Sequence, residues 1–113
     1  MKQRDKILMC PPDFFTVDNA INPWMAGNEG RLDRAKAQEQ WDALVAKIGE
    51  YADVVTIDPQ PDLPDMVFTA NAGAVYGDKA IASHFVPHER RTEETHFKDW
   101  FRNNGYELLD RDE

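Results

Sequence analysis

The pattern of apolar and polar residues divides the chain into five short apolar runs and two amphipathic stretches. The first run, residues 6–10, is stopped by Pro11 and Pro12, as expected for a short buried strand. Apolar residues then recur at helical spacing from Leu32 to Ile48, and Gly49 is expected to end that helix. Alternation of strands and helices of this kind predicts an α/β fold.

The second half of the chain repeats this alternation. Residues 52–58, 66–76 and 79–86 are predicted strands, and Gly77-Asp78 between the last two indicates a hairpin. Residues 89–104 predict a second helix that ends at Gly105, and residues 106–110 a final strand. Three aromatic residues are expected to face inward from that helix: Phe97, Trp100 and Phe101.

The order helix, glycine, tyrosine, strand occurs twice. The two glycines, Gly49 and Gly105, are 56 residues apart, which is long enough for a repeated supersecondary unit. We therefore predict about two ββαβ modules, approximately residues 6–58 and 64–113. The alternative is that the likeness is only the alternation common to α/β proteins.

Residues 13–30 show no period and contain several residues typical of turns. They also carry six large apolar side chains, which argues against disorder, so this loop is expected to pack over another part of the protein. The six are Phe14, Phe15, Val17, Ile21, Trp24 and Met25.

Composition and charge narrow the classes of partner. The 113-residue chain is 42% hydrophobic and carries a net charge of −8, which disfavours nucleic acid and anionic membranes and favours a small cationic ligand. Cys10 is the only cysteine, so an intrachain disulfide is excluded and a cytoplasmic location is expected. No apolar run approaches the length needed to span a membrane.

The stretch "LPDMVFTANAG", residues 63–73, combines apolar and polar positions. If it is a strand, Asp65 and Asn71 share one face, where a carboxylate and an amide suit a ligand rich in N–H donors. Alternatively, Asp65 caps a turn and Asn71 hydrogen-bonds to the neighbouring backbone. Gly73 allows either a bulge or the close approach of another backbone segment.

Three segments in order, "MCPPDFF", "INPWM" and "LPDMVFTANAG", resemble the N-terminal part of the guanidine-modifying enzymes. This superfamily includes arginine deiminases, dimethylarginine dimethylaminohydrolases, amidinotransferases and arginine dihydrolases. The resemblance covers nearly the whole chain, more loosely through "SHFVPHERRTEE". It implies the pentein fold, a five-bladed α/β-propeller, of which this chain holds about two modules and is thus incomplete.

The resemblance also implies substrate-binding residues. Asp65 corresponds to an aspartate that holds the polar end of the substrate, and Phe68 to an aromatic residue beside the guanidinium. Arg90 or Arg91 corresponds to an arginine that binds the substrate carboxylate. The implied substrate is therefore a small cationic guanidine compound such as arginine or a methylated arginine.

Asn71 departs from the deiminases and dimethylargininases, which have an aspartate at this position. An asparagine in "FTANAG" is similar to arginine dihydrolases, which convert arginine to ornithine, carbon dioxide and ammonia. Asn22 resembles a second asparagine associated with that activity. Residues 13–30 then correspond to a lid over the substrate.

The chemistry of the superfamily depends on a cysteine nucleophile near the C-terminus and a histidine, and neither has a counterpart here. The position of Cys10 corresponds to a structural one. His84, His88 and His96 are interrupted by Pro87, so no metal site is expected, and the superfamily implies no cofactor.

Three functions remain open from the sequence. The chain is the substrate-binding part of an arginine dihydrolase-like or dimethylargininase-like hydrolase, a non-catalytic module that binds a cationic amino acid or serves in assembly, or part of an amidinotransferase. Because an incomplete propeller exposes its flanks, we expect a homo-oligomer or association with a complementing C-terminal half.

Overall fold

A computed structural model of the chain describes residues 5–16 and 33–109. Their architecture is mixed α/β, in two compact units, Met1–Val67 and Phe68–Glu113. The helices and strands are, in chain order, β1 (Lys6–Met9), α1 (Arg34–Gly49), β2 (Asp53–Thr56), β3 (Gly73–Tyr76), β4 (Lys79–Ala82), α2 (Glu93–Asn103) and β5 (Glu107–Leu108).

The first unit is built on a parallel pair of strands. β1 pairs with β2 in a register that runs from Lys6 beside Asp53 to Met9 beside Thr56. Parallel neighbours need a long crossover, and α1 supplies it. The helix begins where the Asp33 side chain accepts a hydrogen bond from the Lys36 N–H at 3.0 Å, a standard N-terminal cap.

The apolar stripe predicted on α1 is only partly covered by this chain. Among the described residues of α1 none is buried; Trp41, Val45 and Ile48 are half-buried, and Leu44 is 51% exposed. The helix does end at Gly49, as predicted.

The second unit contains the predicted hairpin. β3 and β4 are antiparallel, with Tyr76 beside Lys79 across the two-residue turn, and Gly77 has a φ of +61°, which glycine adopts without steric cost. β4 then pairs in parallel with β5, so that Ala80 lies beside Leu108. The connection between β4 and β5 runs through α2.

Aromatic side chains of α2 form the core of the second unit. Phe97 is fully buried and Phe101 is 3% exposed, which confirms that both face inward. Phe97 lies 6.3 Å from the ring of Phe85, and half-buried Trp100 stacks on Tyr106 at 6.1 Å between ring centroids. The small residues of β4 are buried beside them.

The prediction of a strand over residues 66–76 was wrong for its first half. The chain forms two 3₁₀ turns, Pro64–Val67 and Thr69–Asn71, before β3 begins. The backbone N–H of Met66 bonds to the carbonyl of Leu63, an i to i+3 contact that Pro64 permits at the start of a helical turn. The alternation that placed Asp65 and Asn71 on one strand face therefore does not apply.

The second helix is shorter than its pattern suggested. A 3₁₀ turn, His88–Arg90, precedes α2, which begins only at Glu93. β4 ends at Ala82, before the predicted strand end at residue 86, and Pro87 stands immediately before that turn.

Gly73 is the first residue of β3 and lies beside Ala82 of β4. A Cβ atom at Gly73 would overlap the carbonyl oxygen of Ile81 and press on Cα of Ala82. The close approach of another backbone segment, one of the two roles predicted for this glycine, is therefore confirmed, and the neighbouring atoms are backbone that cannot swing away.

A charged network links the end of the hairpin to α2. Glu94 accepts from Lys98 Nζ at 2.9 Å, and its other oxygen lies 2.8 Å from His84 Nδ1. The hydrogen bond from Lys98 and then that from His84 lower the pKa of the Glu94 carboxyl from its ordinary value of 4.5. The lowered pKa means that the folded state favours the ionised carboxylate.

Most of the predicted lid, residues 13–30, lies outside the described residues, which stop at residue 16 and resume at residue 33. Within the described ranges no helix is both long and apolar enough to cross a membrane.

Replacing Gly73 by Ala is expected to destabilise the chain by about 1–3 kcal/mol, because the new methyl group has to displace the β4 backbone. Chemical denaturation followed by circular dichroism measures the change. Gly49→Ala is the matched control, since a Cβ atom there meets nothing within 4 Å and Gly49 ends a helix. Equal stability of the two variants would contradict the packing of β3 on β4.

Glu94→Gln is expected to lower stability at pH 7 by less than about 1 kcal/mol, the usual value for a partly exposed ion pair. Because the pKa of Glu94 is lowered by folding, its contribution is present above pH 4.5 and is lost as the pH falls through the lower, folded-state value. Thermal unfolding of both proteins from pH 7 downward checks this.

Glu89→Gln, at an exposed position in the preceding turn, gives the background effect of removing one carboxylate. A gap between the Glu94 variant and the parent that stays constant below pH 4 would contradict the expected linkage.

Candidate functional site

The second unit contains a buried ion pair. Arg90 Nε donates to Glu93 Oε2 at 2.8 Å and Arg90 Nη2 donates to Glu93 Oε1 at 2.9 Å. Arg90 is 7% exposed and Glu93 is fully buried. Two parallel charge-assisted bonds in such surroundings fix the plane of the guanidinium.

The same guanidinium holds the side chain of Asn71. Arg90 Nη1 donates to Asn71 Oδ1 at 2.9 Å. Arg90 also lies over the ring of Phe85, with its Cζ 4.4 Å from the ring centroid, a cation–π contact. Phe85, Glu93 and Asn71 thus surround Arg90 on three sides.

The backbone of Asn71 is held as firmly as its side chain. Its N–H donates to the carbonyl of Phe68 at 3.1 Å, which closes the 3₁₀ turn. Ser83, just after β4, donates its hydroxyl to the Asn71 carbonyl and its backbone N–H to the Ala72 carbonyl at 2.9 Å. Asn71 itself is exposed, so a fixed amide stands at the surface.

Asp65 belongs to the first unit. It lies in the turn Pro64–Val67, is 5% exposed, and has buried Leu63 and Met66 as near neighbours in sequence. Burial of a carboxylate is costly unless it is hydrogen-bonded or paired. A buried acid in this turn is therefore a position with a specific structural or binding role.

The remaining predicted site residues differ in exposure. Phe68 is 39% exposed and precedes the turn Thr69–Asn71. Arg91 is exposed and follows the turn His88–Arg90. Asn22 lies outside the described residues. The structure thus brings Arg90 and Asn71 together, while Arg91 points its charge to the surface.

Sequence reasoning missed Glu93, Ser83 and Phe85. Glu93 follows Arg90 by three residues, the spacing of side-chain pairs on a helical turn, and that was the available signal. It stands in the charged run "ERRTEE", however, which reads as a solvated face. Nothing in the pattern distinguishes Glu93 from the exposed glutamate four residues before it.

Cys10 is 1% exposed at the end of β1, and its thiol lies 3.6 Å from the carbonyl of Pro11. A buried cysteine of this kind acts as a small apolar side chain.

Among residues 5–16 and 33–109 no group of three potential metal ligands is found, and His84 is hydrogen-bonded to Glu94.

Comparison with curated proteins gives relatives that match nearly the whole chain. It is 48% identical over 110 residues to the bifunctional arginine dihydrolase/ornithine cyclodeaminase AgrE of Nostoc sp. and 48% identical over 105 residues to ArgZ of Synechocystis sp.. It is also 40% identical over 101 residues to the dimethylarginine dimethylaminohydrolase of Mycobacterium tuberculosis. The chain spans 16%, 15% and 32% of these three relatives, respectively.

Comparison with solved structures finds the same relatives. An AgrE variant crystallised with L-arginine matches 96% of this chain at a TM-score of 0.93 and 48% identity, and the chain covers 16% of that structure. The N-terminal domain of ArgZ bound to product matches 98% of the chain at a TM-score of 0.94 and 45% identity, with 40% of that domain covered. A dimethylarginine dimethylaminohydrolase at 20% identity and a TM-score of 0.69 shows the shared fold alone.

No protein-family model matches the chain. The relatives nevertheless agree with one another, and each of these matches covers 87% or more of the chain. The resemblance seen in the sequence is confirmed: the chain belongs to the guanidine-modifying superfamily and corresponds to the N-terminal part of its arginine dihydrolase and dimethylargininase members.

Proposed function

We propose that this chain supplies substrate-binding residues of an arginine dihydrolase. The observation that carries the proposal is the match, at 48% identity and a TM-score of 0.93, to an AgrE variant crystallised with L-arginine. Asn71, held at the surface by Arg90, supports the dihydrolase assignment over the dimethylargininase one, because the resemblance associates asparagine here with dihydrolases.

The proposed reaction consists of two hydrolyses at the guanidinium carbon. The first adds water and releases ammonia, which leaves a neutral ureido group; the second adds another water and releases ornithine, carbon dioxide and a second ammonia. The nucleophilic thiol of the superfamily attacks that carbon. Cys10 is too deeply buried for this task, so the nucleophile is assigned to another part of the enzyme.

Each proposed contact has a physical reason. The carboxylate of Asp65 accepts from the substrate's N–H donors, and the partly exposed ring of Phe68 lies beside the planar guanidinium. Of the two arginines, exposed Arg91 has its charge at the surface to meet the substrate carboxylate, whereas Arg90 is bound to Glu93 and Asn71. From the resemblance, Asn22, which lies outside the described residues, is proposed as a further substrate-binding residue.

For the fold, we infer that the chain forms about two modules of a five-bladed propeller. For the location, we infer a cytoplasmic protein. The face of the β3–β4–β5 sheet supports association with further chain. It is an apolar depression of about 240 Å³, and Tyr76 within it is 89% exposed. Its partner is either a complementing C-terminal half or a second copy.

The function is tested in a chimera in which this chain replaces the matching segment of Nostoc AgrE, which supplies the rest of the enzyme. The chimera is expected to release ornithine and two equivalents of ammonia from arginine, measured by chromatography and an ammonia assay. Asn71→Asp in the chimera is expected to shift the product toward citrulline by about tenfold or more, because a carboxylate holds the guanidinium by charge.

The matched control is Asn103→Asp, the same chemical change at an exposed position near the end of α2. If the Asn71 and Asn103 variants give the same products as the parent chimera, Asn71 has no part in the second hydrolysis. A chimera that binds arginine without turnover would favour the non-catalytic module, and transfer of the amidino group to an added amine would favour an amidinotransferase.

A further inference from the structure

The amide of Asn71 has only one orientation that satisfies Arg90. A guanidinium carries five N–H donors and no acceptor, so the atom of Asn71 that faces Arg90 Nη1 at 2.9 Å has to be the oxygen. The amide nitrogen with its two N–H donors then occupies the other arm of the amide. Chemistry alone therefore settles which group Asn71 presents.

This orientation depends on Glu93. The two bonds from Nε and Nη2 to the Glu93 carboxylate leave Nη1 as the guanidinium nitrogen that reaches Asn71. Because Glu93 is fully buried, its carboxylate is not exposed to bulk solvent. The guanidinium cannot rotate without breaking a buried pair.

The other neighbours restrict the same group further. The ring of Phe85, at 4.4 Å from Arg90 Cζ, covers one face of the guanidinium plane. Ser83 holds the backbone carbonyls of Asn71 and Ala72, so the turn cannot shift to follow a displaced side chain. A series of side-chain hydrogen bonds thus connects the buried carboxylate of Glu93, through Arg90, to the amide of exposed Asn71.

From this geometry we infer that Glu93 is a positioning residue, which acts through Arg90 to hold Asn71 with its N–H donors toward the substrate. The inference rests on the proposed function for the presence of a substrate beside Asn71. Two N–H donors are poorly matched to a guanidinium, which is itself a donor only, and well matched to the oxygen of a ureido group or of an attacking water. Glu93 thereby favours the second hydrolysis over release of the singly hydrolysed product.

The orientation itself is tested in the 113-residue chain without ligand, by nuclear magnetic resonance of ¹⁵N-labelled side chains. In the unsubstituted chain the Arg90 Nε–H signal is expected to be protected from exchange with water. In Glu93→Gln the Arg90 signal is expected to lose that protection and the Asn71 Nδ2 signals to shift. Glu93→Asp keeps the negative charge. It is therefore expected to restore part of the exchange protection of Arg90 and to return the Asn71 Nδ2 signals part of the way to their positions in the unsubstituted chain.

Glu94→Gln is the matched control, because Glu94 is the next residue of the same helix and pairs with Lys98 and His84 instead. Asn71 signals that are the same in the parent and in folded Glu93→Gln would overturn the inference. If that variant does not fold, the unsubstituted chain decides: rapid exchange of the Arg90 Nε–H would overturn the fixed guanidinium, and protection would support it.

The consequence for products is measured in the AgrE chimera. Glu93→Gln is expected to lower the ratio of ornithine to citrulline about tenfold or more and to lower kcat with little change in KM, since a small misplacement of a contacting group costs rate. A raised KM with an unchanged product ratio would overturn the inference and assign Arg90 to carboxylate binding. If the unsubstituted chimera is inactive, the proposed function fails, while the resonance experiment still decides the orientation of Asn71.

Discussion

The buried pair of Arg90 and Glu93 is the interaction on which the second unit depends. Each charge is stable in the interior only because the other is present, so the turn before α2 and the first residue of α2 have to stay in one relative position. That requirement extends to Phe85 below the guanidinium and to Asn71 beside it. A strictly local ion pair thereby determines the geometry of an exposed side chain.

The elements that could be predicted from sequence are those with local causes. The hairpin follows from Gly77-Asp78 between two apolar runs, and the inward direction of Phe97 and Phe101 follows from helical spacing. In both cases the residues that set the structure lie within a few positions of one another. For Gly73, close approach of another backbone segment was one of the two roles predicted, and the sequence did not name that segment.

The elements that could not be predicted depend on distant partners. Residues 66–72 alternate as a strand would, but the 3₁₀ turn Thr69–Asn71 is held by Ser83, which becomes a neighbour only after the hairpin has formed. Glu93 looks like any surface glutamate until Arg90 and the aromatic core enclose it. For the candidate site, the family resemblance gave Asn71 and Arg90 but could not give the bond between them.

The formal charges of Arg90, Glu93 and Asn71 sum to zero, and this has a consequence for the energetics of ligands at that surface. A position without net charge exerts little long-range attraction, so the encounter with a cation depends on the excess of acidic residues elsewhere in the chain. Once a ligand is in place, its contact with the neutral amide depends on the match of hydrogen-bond donors to acceptors and not on the net charge of the ligand. Loss of the ligand's charge part-way through a reaction therefore does not weaken its contact with residue 71, as it would at a carboxylate.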